Sequence, residues 1–483
     1  MGDNRESQER PTATRRAFLS ASAVTAAAAV PLVGASPAQA HGRWTDPPVA
    51  GPGRGIGTQR PSAALRRALR EVDADRIEAD VRRLAAFGTR HTLSTQTDPA
   101  RGIGAARDWL FEQFSRIAER SGGRMTVEKQ SFTQPVSPRV PTPTVITNVI
   151  ATLRGTVTPE RVYVLTGHYD SRISDVMNFT DDAPGADDDA SGVAILLELA
   201  RVLADRPLDA TLVLGAVAGE EQGLYGSAYM AQQFKDADTD IQGMFSNDIV
   251  GASRADDGTR EPRVIRLFAE GVPTSETPAQ GNTRRSVGGE NDSASRQLAR
   301  FVDAVADNDE TGMHVRVIWR RDRYLRGSDH ISFLERGYPA GRFTEPNEDF
   351  RHQHQDVRVE DGVQFGDLPE FCDFDFIARV ARVNLATVWS LSQGPGTPKG
   401  VIIVTTNLTN DTQLRWQANT EPDVAGYEVV WRETREDDWT HVIDAGDVTE
   451  AIIDLSKDNV FFGVRAYDRD GHRSPVAFPV PGT

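Results

Sequence analysis

The sequence predicts an α/β fold, a three-layer arrangement with a mostly parallel central sheet and helices on both faces, followed by a small all-β sandwich. Three observations carry this. Between residues 147 and 251, apolar runs of strand character alternate with segments of helical periodicity, which is the pattern of a sheet at least partly parallel. The chain has 483 residues with 39% apolar content, long enough for a large core and for two or three domains. Beyond the Gly/Pro-rich stretch "SQGPGTPKG", short alternating segments carry Trp416, Tyr427, Trp431 and Tyr467, as expected of short strands.

The elements follow in order. "TRRAFLS" places Arg15 and Arg16 before an Ala-rich apolar run, and "AQA" at 38–40 offers small residues for cleavage. Residues 1–40 therefore resemble a bacterial twin-arginine export signal, too short and Ala-rich for a membrane span, which predicts a secreted or extracytoplasmic product. Residues 41–60 read as a flexible Pro/Gly-rich spacer. "SAALRRALREVDADRIEADVRRLAAF" and "GAARDWLFEQFSRIAERSG" have apolar residues at helical spacing. Strands "TNVIATLRG", "RVYVLTGHYD", "ATLVLGAVAG" and "GMFSNDIVG" then alternate with helices "SGVAILLELARVLAD" and "GLYGSAYMAQQF". The α/β domain is expected over 61–394, a linker over 395–400 and the sandwich over 401–483. The sandwich looks like a fibronectin type III module, with its aromatics as core; a carbohydrate- or protein-tethering role is the alternative.

Composition excludes some functions. A formal net charge of -16 offers no clustered basic surface for nucleic acid. The one cysteine, Cys372, permits no intrachain disulfide and no Cys-based metal site. Any metal must be held by His, Asp and Glu.

Such residues gather at the carboxyl ends of the predicted strands, where function collects in α/β sheets. His168 and Asp170 end one strand and Glu220 and Glu221 another, Asp248 ends a third, and "GADDDASG" precedes a helix with Ser191 as a plausible cap. His330, His352 and His354 come later. Each alone has an ordinary structural explanation, as a surface histidine, a turn or a solvated pair. Together, two histidines, a shared carboxylate, a Glu and another Asp suit a hydrolytic site in which a carboxylate bridges two cations about 3.5–4 Å apart.

"GHYDS", "GADDDASGVA", "AGEEQGLYGS", "NDIVG" and "GSDHISFLERGYPA" occur in that order, and over roughly 60–395 the chain resembles the M28 family of di-zinc aminopeptidases. The resemblance implies two Zn²⁺ ions. His168 would ligate one, Asp188 would bridge both, Glu221 and Asp248 would complete one each, and Glu220 would be the general base. For the last ligand, a His followed four residues later by Asp is expected, which favours His352 (with Asp356) over His354. Asp170 is placed to accept the second ring N–H of His168, and Asp329 and His330 are further supporting candidates. Tyr324 is the candidate donor to the oxyanion.

The reaction implied is hydrolysis of N-terminal residues from peptides or proteins, the free α-amine reaching Asp248 and Glu220. Two other reactions on the same fold stay open, glutaminyl cyclase-like acyl transfer and carboxypeptidase action. The intact acidic run counts against the first; the second would need an arginine or lysine aimed into the pocket, for which Arg323, Arg326 and Arg342 are candidates. A binding protein that has lost its ligands is disfavoured because every ligand type is present.

Overall fold

The computed structural model describes residues 48–483; the predicted export signal lies outside them. An eight-stranded mixed sheet forms the centre of the α/β part. Its strands are β1 (Met125–Gln134), β2 (Thr144–Leu153), β3 (Thr158–His168), β4 (Ala210–Val217), β5 (Asp240–Asn247), β6 (Val264–Ala269), β7 (His314–Ile318) and β8 (Ala340–Thr344), in the spatial order β1-β2-β4-β3-β5-β8-β6-β7. β4, β3, β5 and β8 are mutually parallel, while the β1-β2-β4 side is antiparallel.

The parallel strands are apolar throughout because both faces are covered: all eight residues of β4 are buried. Alternate side chains enter different cores. Tyr163, Leu165, Leu212 and Leu214 join the cluster beneath helices α2 (Ala74–Ala85), α4 (Ser191–Leu203) and α8 (Phe374–Gln393). Val162, Val164, Val213 and Val217 face the other way, with Met230 and Ala231 of α5 (Tyr225–Asp236). Two more helices, α1 (Ala63–Leu69) and α3 (Gly102–Ala118), contribute to the first cluster. Helix starts follow capping chemistry. Asp73 accepts from the Asp75 and Arg76 amides before α2, and Asp373 from the Phe376 amide before α8. Among the described residues no helix is long and apolar enough to cross a membrane.

The C-terminal part consists of two four-stranded sheets. One is built from β11 (Val424–Glu433), β12 (His441–Gly446) and β14 (Val460–Asp468). The other holds β9 (Ile402–Val404), β10 (Thr412–Arg415), β13 (Glu450–Ile453) and β15 (Val480–Gly482). Trp416, Tyr427 and Trp431 are buried. The fourth strand of the first sheet corrects the expectation of a flexible spacer. Arg54–Gly55 pairs antiparallel with β12, and the Pro52 carbonyl accepts from Trp431 Nε1 at 2.8 Å. Backbone pairing and an indole hydrogen bond hold what composition alone reads as loose.

The sandwich is also tied to the α/β part through buried charge. Asp292 precedes α7 (Ala294–Ala306), α6 being Pro278–Val287. It accepts from Arg300 Nη1 (3.3 Å) and from Arg432 Nη2 of β11 (2.7 Å), all three residues being at most 5% exposed. Trp439 Nε1 donates to Gln297 Oε1 at 2.8 Å, and Arg300 Nε to the Asp437 carbonyl at 2.7 Å. The stretch expected as a linker is held as well, since the Thr397 amide donates to Gln242 Oε1 at 3.1 Å. Removing one partner from such a buried set leaves uncompensated charge. Asp292→Ala should therefore destabilise the protein by about 3–5 kcal/mol in urea unfolding; a loss under about 0.5 kcal/mol, as for an ordinary surface change, would show that this contact does not anchor the sandwich.

Candidate metal centre

The parallel register brings the polar strand ends to one level. His168, the last residue of β3, pairs with Val217, the last of β4, so Glu220 and Glu221 emerge beside it. Asp248 follows the end of β5 on the other side of β3. The helix α4 must come very close to these ends. A Cβ on Gly167 would lie 2.8 Å from the Gly192 carbonyl carbon, and one on Gly192 would lie 2.4 Å from the Asn247 oxygen. Only glycine fits at either position.

The three aspartates of "GADDDASG" divide the work. Asp187 Oδ1 accepts from the Gly251 amide at 2.6 Å. Asp189 accepts from the His168 amide at 2.9 Å and the Gly192 amide at 3.1 Å. The Asp187 and Asp188 amides in turn donate to Asp367, each at 2.8 Å. The flanking pair thus fixes the loop, and Asp188 alone faces the centre. Its Oδ1 lies 3.0 Å from His168 Nε2 and its Oδ2 2.8 Å from His354 Nε2. Glu221 Oε1 lies 2.9 Å from His354 Nε2, and Asp248 Oδ1 4.0 Å from His168 Nε2. Two three-residue groups result, His168/Asp188/Asp248 and Asp188/Glu221/His354, the ligand atoms in each lying within 4.8 Å of one another.

This donor set fits a pair of divalent cations. It consists of imidazole and carboxylate with one carboxylate common to both groups. His168 Nδ1 faces a carbonyl oxygen, which can only accept, so in the neutral ring Nδ1 carries the proton and the Nε2 lone pair is turned toward Asp188. Nδ1 is 3.1 Å from the Asp170 main-chain carbonyl and 3.6 Å from the Asp170 carboxylate. The ring is thus oriented mainly by the backbone of Asp170. The Asp170 carboxylate accepts from Thr92 Oγ1 (2.9 Å) and from the Glu220 and Glu221 amides (3.3 and 3.2 Å), fixing the turn that presents both glutamates.

Electrostatics separates the two glutamates. Burial, joined by repulsion from Glu221, Asp248 and Asp329, pushes the Glu220 carboxyl well above its usual range, with His168 opposing. Glu221 is held low: burial works against this, but His354 and Arg172 outweigh it. A carboxyl with a raised pKa is suited to taking and returning a proton. Two arginines that the motifs do not reveal supply countercharge. Arg172 Nε donates to Glu221 Oε2 at 2.8 Å, and the fully buried Arg342 donates through Nη2 to Asp248 Oδ1 at 2.9 Å.

Two predicted site residues lie elsewhere. His352 stacks on Phe371, ring centres 3.6 Å apart, with Nδ1 3.7 Å from Asp349. His354 takes its place because the chain enters a left-handed turn there (φ 55°), which swings that ring inward while Gln353 Nε2 reaches Asp188 Oδ2 at 3.2 Å. Asp356, on which the spacing argument rested, accepts instead from Ser174 Oγ at 2.7 Å. Tyr324 is 81% exposed, its ring 4.0 Å under the Arg320 guanidinium, and it does not line the site. His330 is buried against the Arg321 carbonyl (2.9 Å), outside both groups. Asp329 is buried and pushed up to about 7, chiefly by that burial.

The model for peptidase family M28 matches residues 148–360. A probable zinc metalloprotease of Pyrenophora tritici-repentis is 53% identical over 426 residues, 88% of each chain. One from Leptosphaeria maculans is 54% identical over 430 residues, 89% of this chain and all of the relative. One from Pyricularia oryzae is 52% identical over 449 residues, 92% of this chain and 89% of the relative. Among solved structures, the LapA aminopeptidase of Legionella pneumophila has a TM-score of 0.48 at 16% identity, covering 70% of this chain and 77% of its own. A glutaminyl cyclase of Porphyromonas gingivalis has a TM-score of 0.46 at 19% identity, covering 65% and 97%. These two proteins are named for different reactions, so they do not choose between them. The fungal alignments are longer than the α/β part and exceed half identity over most of both chains; with the family match, they establish that the chain belongs to peptidase family M28.

Proposed function

We propose that the protein is an exported zinc metallo-aminopeptidase that removes N-terminal residues from peptides. The observation that carries this reading is the single carboxylate, Asp188, shared between two ligand groups, with Glu220 beside them and outside both. His168, Asp188 and Asp248 would hold one zinc ion; Asp188, Glu221 and His354 would hold the other. A zinc pair would supply Lewis acidity and lower the pKa of water so that hydroxide is available near neutral pH.

The chain's own groups do the rest. Glu220 accepts the proton of the attacking water and returns it to the departing amine, a role open to it because it belongs to neither ligand group. Asp170 keeps His168 oriented through its main-chain carbonyl and keeps Glu220 in place through its carboxylate. The free α-amine of the substrate is met by Asp248 and Glu220, so the end of the chain is recognised by charge. The relatives' description as probable zinc metalloproteases supports zinc as the metal. The paired arginines Arg15 and Arg16 support export.

An aminoacyl-nitroanilide or short free peptide should lose its N-terminal residue, and N-acetylation should abolish cleavage. Equal turnover of the acetylated peptide, or release of the C-terminal residue first, would overturn the aminopeptidase reading. Glu220→Gln should retain metal and fold while kcat falls by roughly 10²- to 10⁴-fold, whereas Glu221→Gln should weaken metal binding. The reverse pattern, read by elemental analysis beside kinetics, would exchange the two roles.

A further inference from the structure

The cavity over the candidate centre is small, 290 Å³, and four arginines line it: Arg139, Arg172, Arg323 and Arg326. That volume is at the lower end for ligand sites, enough for the residues flanking one bond and not for a long peptide. Anything recognised there lies close to the scissile bond.

The positive charge is not balanced by the walls. Arg172 is engaged by Glu221. Arg323 and Arg326 both rely on Glu348, with Nη1 to Glu348 oxygens at 3.0 and 2.7 Å, and Arg266 approaches the same carboxylate at 3.5 Å. Arg323 also contacts Asp322 at 3.3 Å, a carboxylate itself shared with the buried Arg342. Glu348 sits at about 2: its burial works against this, and Arg323, Arg326 and Arg342 outweigh that cost. Arg139 enters from the loop joining β1 and β2, donates Nη1 to the Glu221 main-chain carbonyl at 2.8 Å and has no carboxylate partner among the described residues. The four carboxylates that line the cavity, Asp188, Glu220, Glu221 and Asp248, match the charge of two divalent cations, so the loaded cavity keeps an excess of guanidinium. A small cavity with guanidinium in excess of its carboxylates favours anions, and the planar fork can hold the carboxylate of a peptide bidentately.

We propose that Arg139 and Arg326, presented by separate loops, form a subsite for a substrate carboxylate on the leaving-group side of the scissile bond. The carboxylate is either the C-terminus of a dipeptide or an acidic side chain in second position. The inference rests on the peptidase reading above and narrows its substrates to short or acidic peptides. It uses the arginines to recognise charge beyond the bond, while the free amine is still read at the other end.

The test uses the zinc-loaded full chain and two pairs of substrates. Leu-Ala is compared with Leu-Ala-amide for the terminal carboxylate, and Leu-Glu-Ala-amide with Leu-Gln-Ala-amide for the side chain. Binding of the same four peptides to Glu220→Gln is measured by calorimetry. At least one carboxylate form should exceed its neutral counterpart about tenfold in kcat/KM and in affinity, the scale of one hydrogen bond to a charged group. The arm that responds identifies the source of the carboxylate. Arg139→Gln and Arg326→Gln should each reduce that ratio, mainly through KM, whereas Arg320→Gln, on the exposed face beside Tyr324, should preserve it. Arg139 is exposed, so its variant does not depend on the packing around Glu348. Ratios within twofold in both arms, with every peptide still losing its N-terminal leucine, would overturn the carboxylate subsite and leave the aminopeptidase reading intact. Tighter binding of a carboxylate form without release of leucine from any peptide would support the subsite and overturn the aminopeptidase reading.

Discussion

The site depends on the position of one carboxylate. Asp188 is within 3.0 Å of His168 on one side and 2.8 Å of His354 on the other, so it joins a strand end to a loop more than 160 residues later in the chain. Everything around it serves to fix that position. Asp367 holds its amide, Asp189 holds the start of α4 against β3, and Gly167 and Gly192 allow that approach. Displacing Asp188 would separate the two ligand groups, and neither would retain three members.

Packing so many carboxylates together is costly unless positive charge offsets them. Burial pushes Asp187, Asp189 and Glu345 well above the usual carboxylate range. Asp188 is held well below it: burial opposes this too, but His354 and His168 prevail. Arg172 and Arg342 take part of the remaining charge at Glu221 and Asp248, and divalent cations would take the rest. The same balance bears on the arginine-rich wall of the cavity: if cations engaged the carboxylates, guanidinium would be in excess there, at Arg139 above all.

The fold was legible because its signals are local. Alternating apolar runs and helical periodicity in residues 147–251 reproduce β2 to β5 with α4 and α5 between them, and the strand ends carry the polar residues that converge. His168, the Glu220–Glu221 pair and Asp248 could be read as a converging cluster because each stands at a strand end, while the choice of Asp188 among three aspartates and of Glu221 over Glu220 rested on the family resemblance. The second histidine could not, because it lies in an irregular loop where φ 55° at residue 354 decides which ring turns inward. A rule based on spacing to Asp356 cannot register that. Tyr324 failed for a similar reason: the chain turns at Leu325 (φ 53°) and leaves the phenol on the surface. Arg172 was not singled out because nothing in the sequence marks the residue after "GHYDS" as a partner of Glu221, and Arg342 was weighed only as a pocket arginine, whereas it is buried against Asp248. The sandwich was visible as strands, but its attachment was not, since Asp292, Arg300 and Arg432 look like ordinary surface charges until α7 and β11 meet.

As proposed here, the chain holds two cations through a shared Asp188, with His354 as the second histidine. Zinc titration of metal-free protein, with elemental analysis of the loaded form, tests it most directly. Two ions per chain are predicted for the wild type and for His352→Ala, and no more than one tightly held ion for His354→Ala. A wild type that binds one ion or none, or loss of metal from His352→Ala with His354→Ala unaffected, would contradict it.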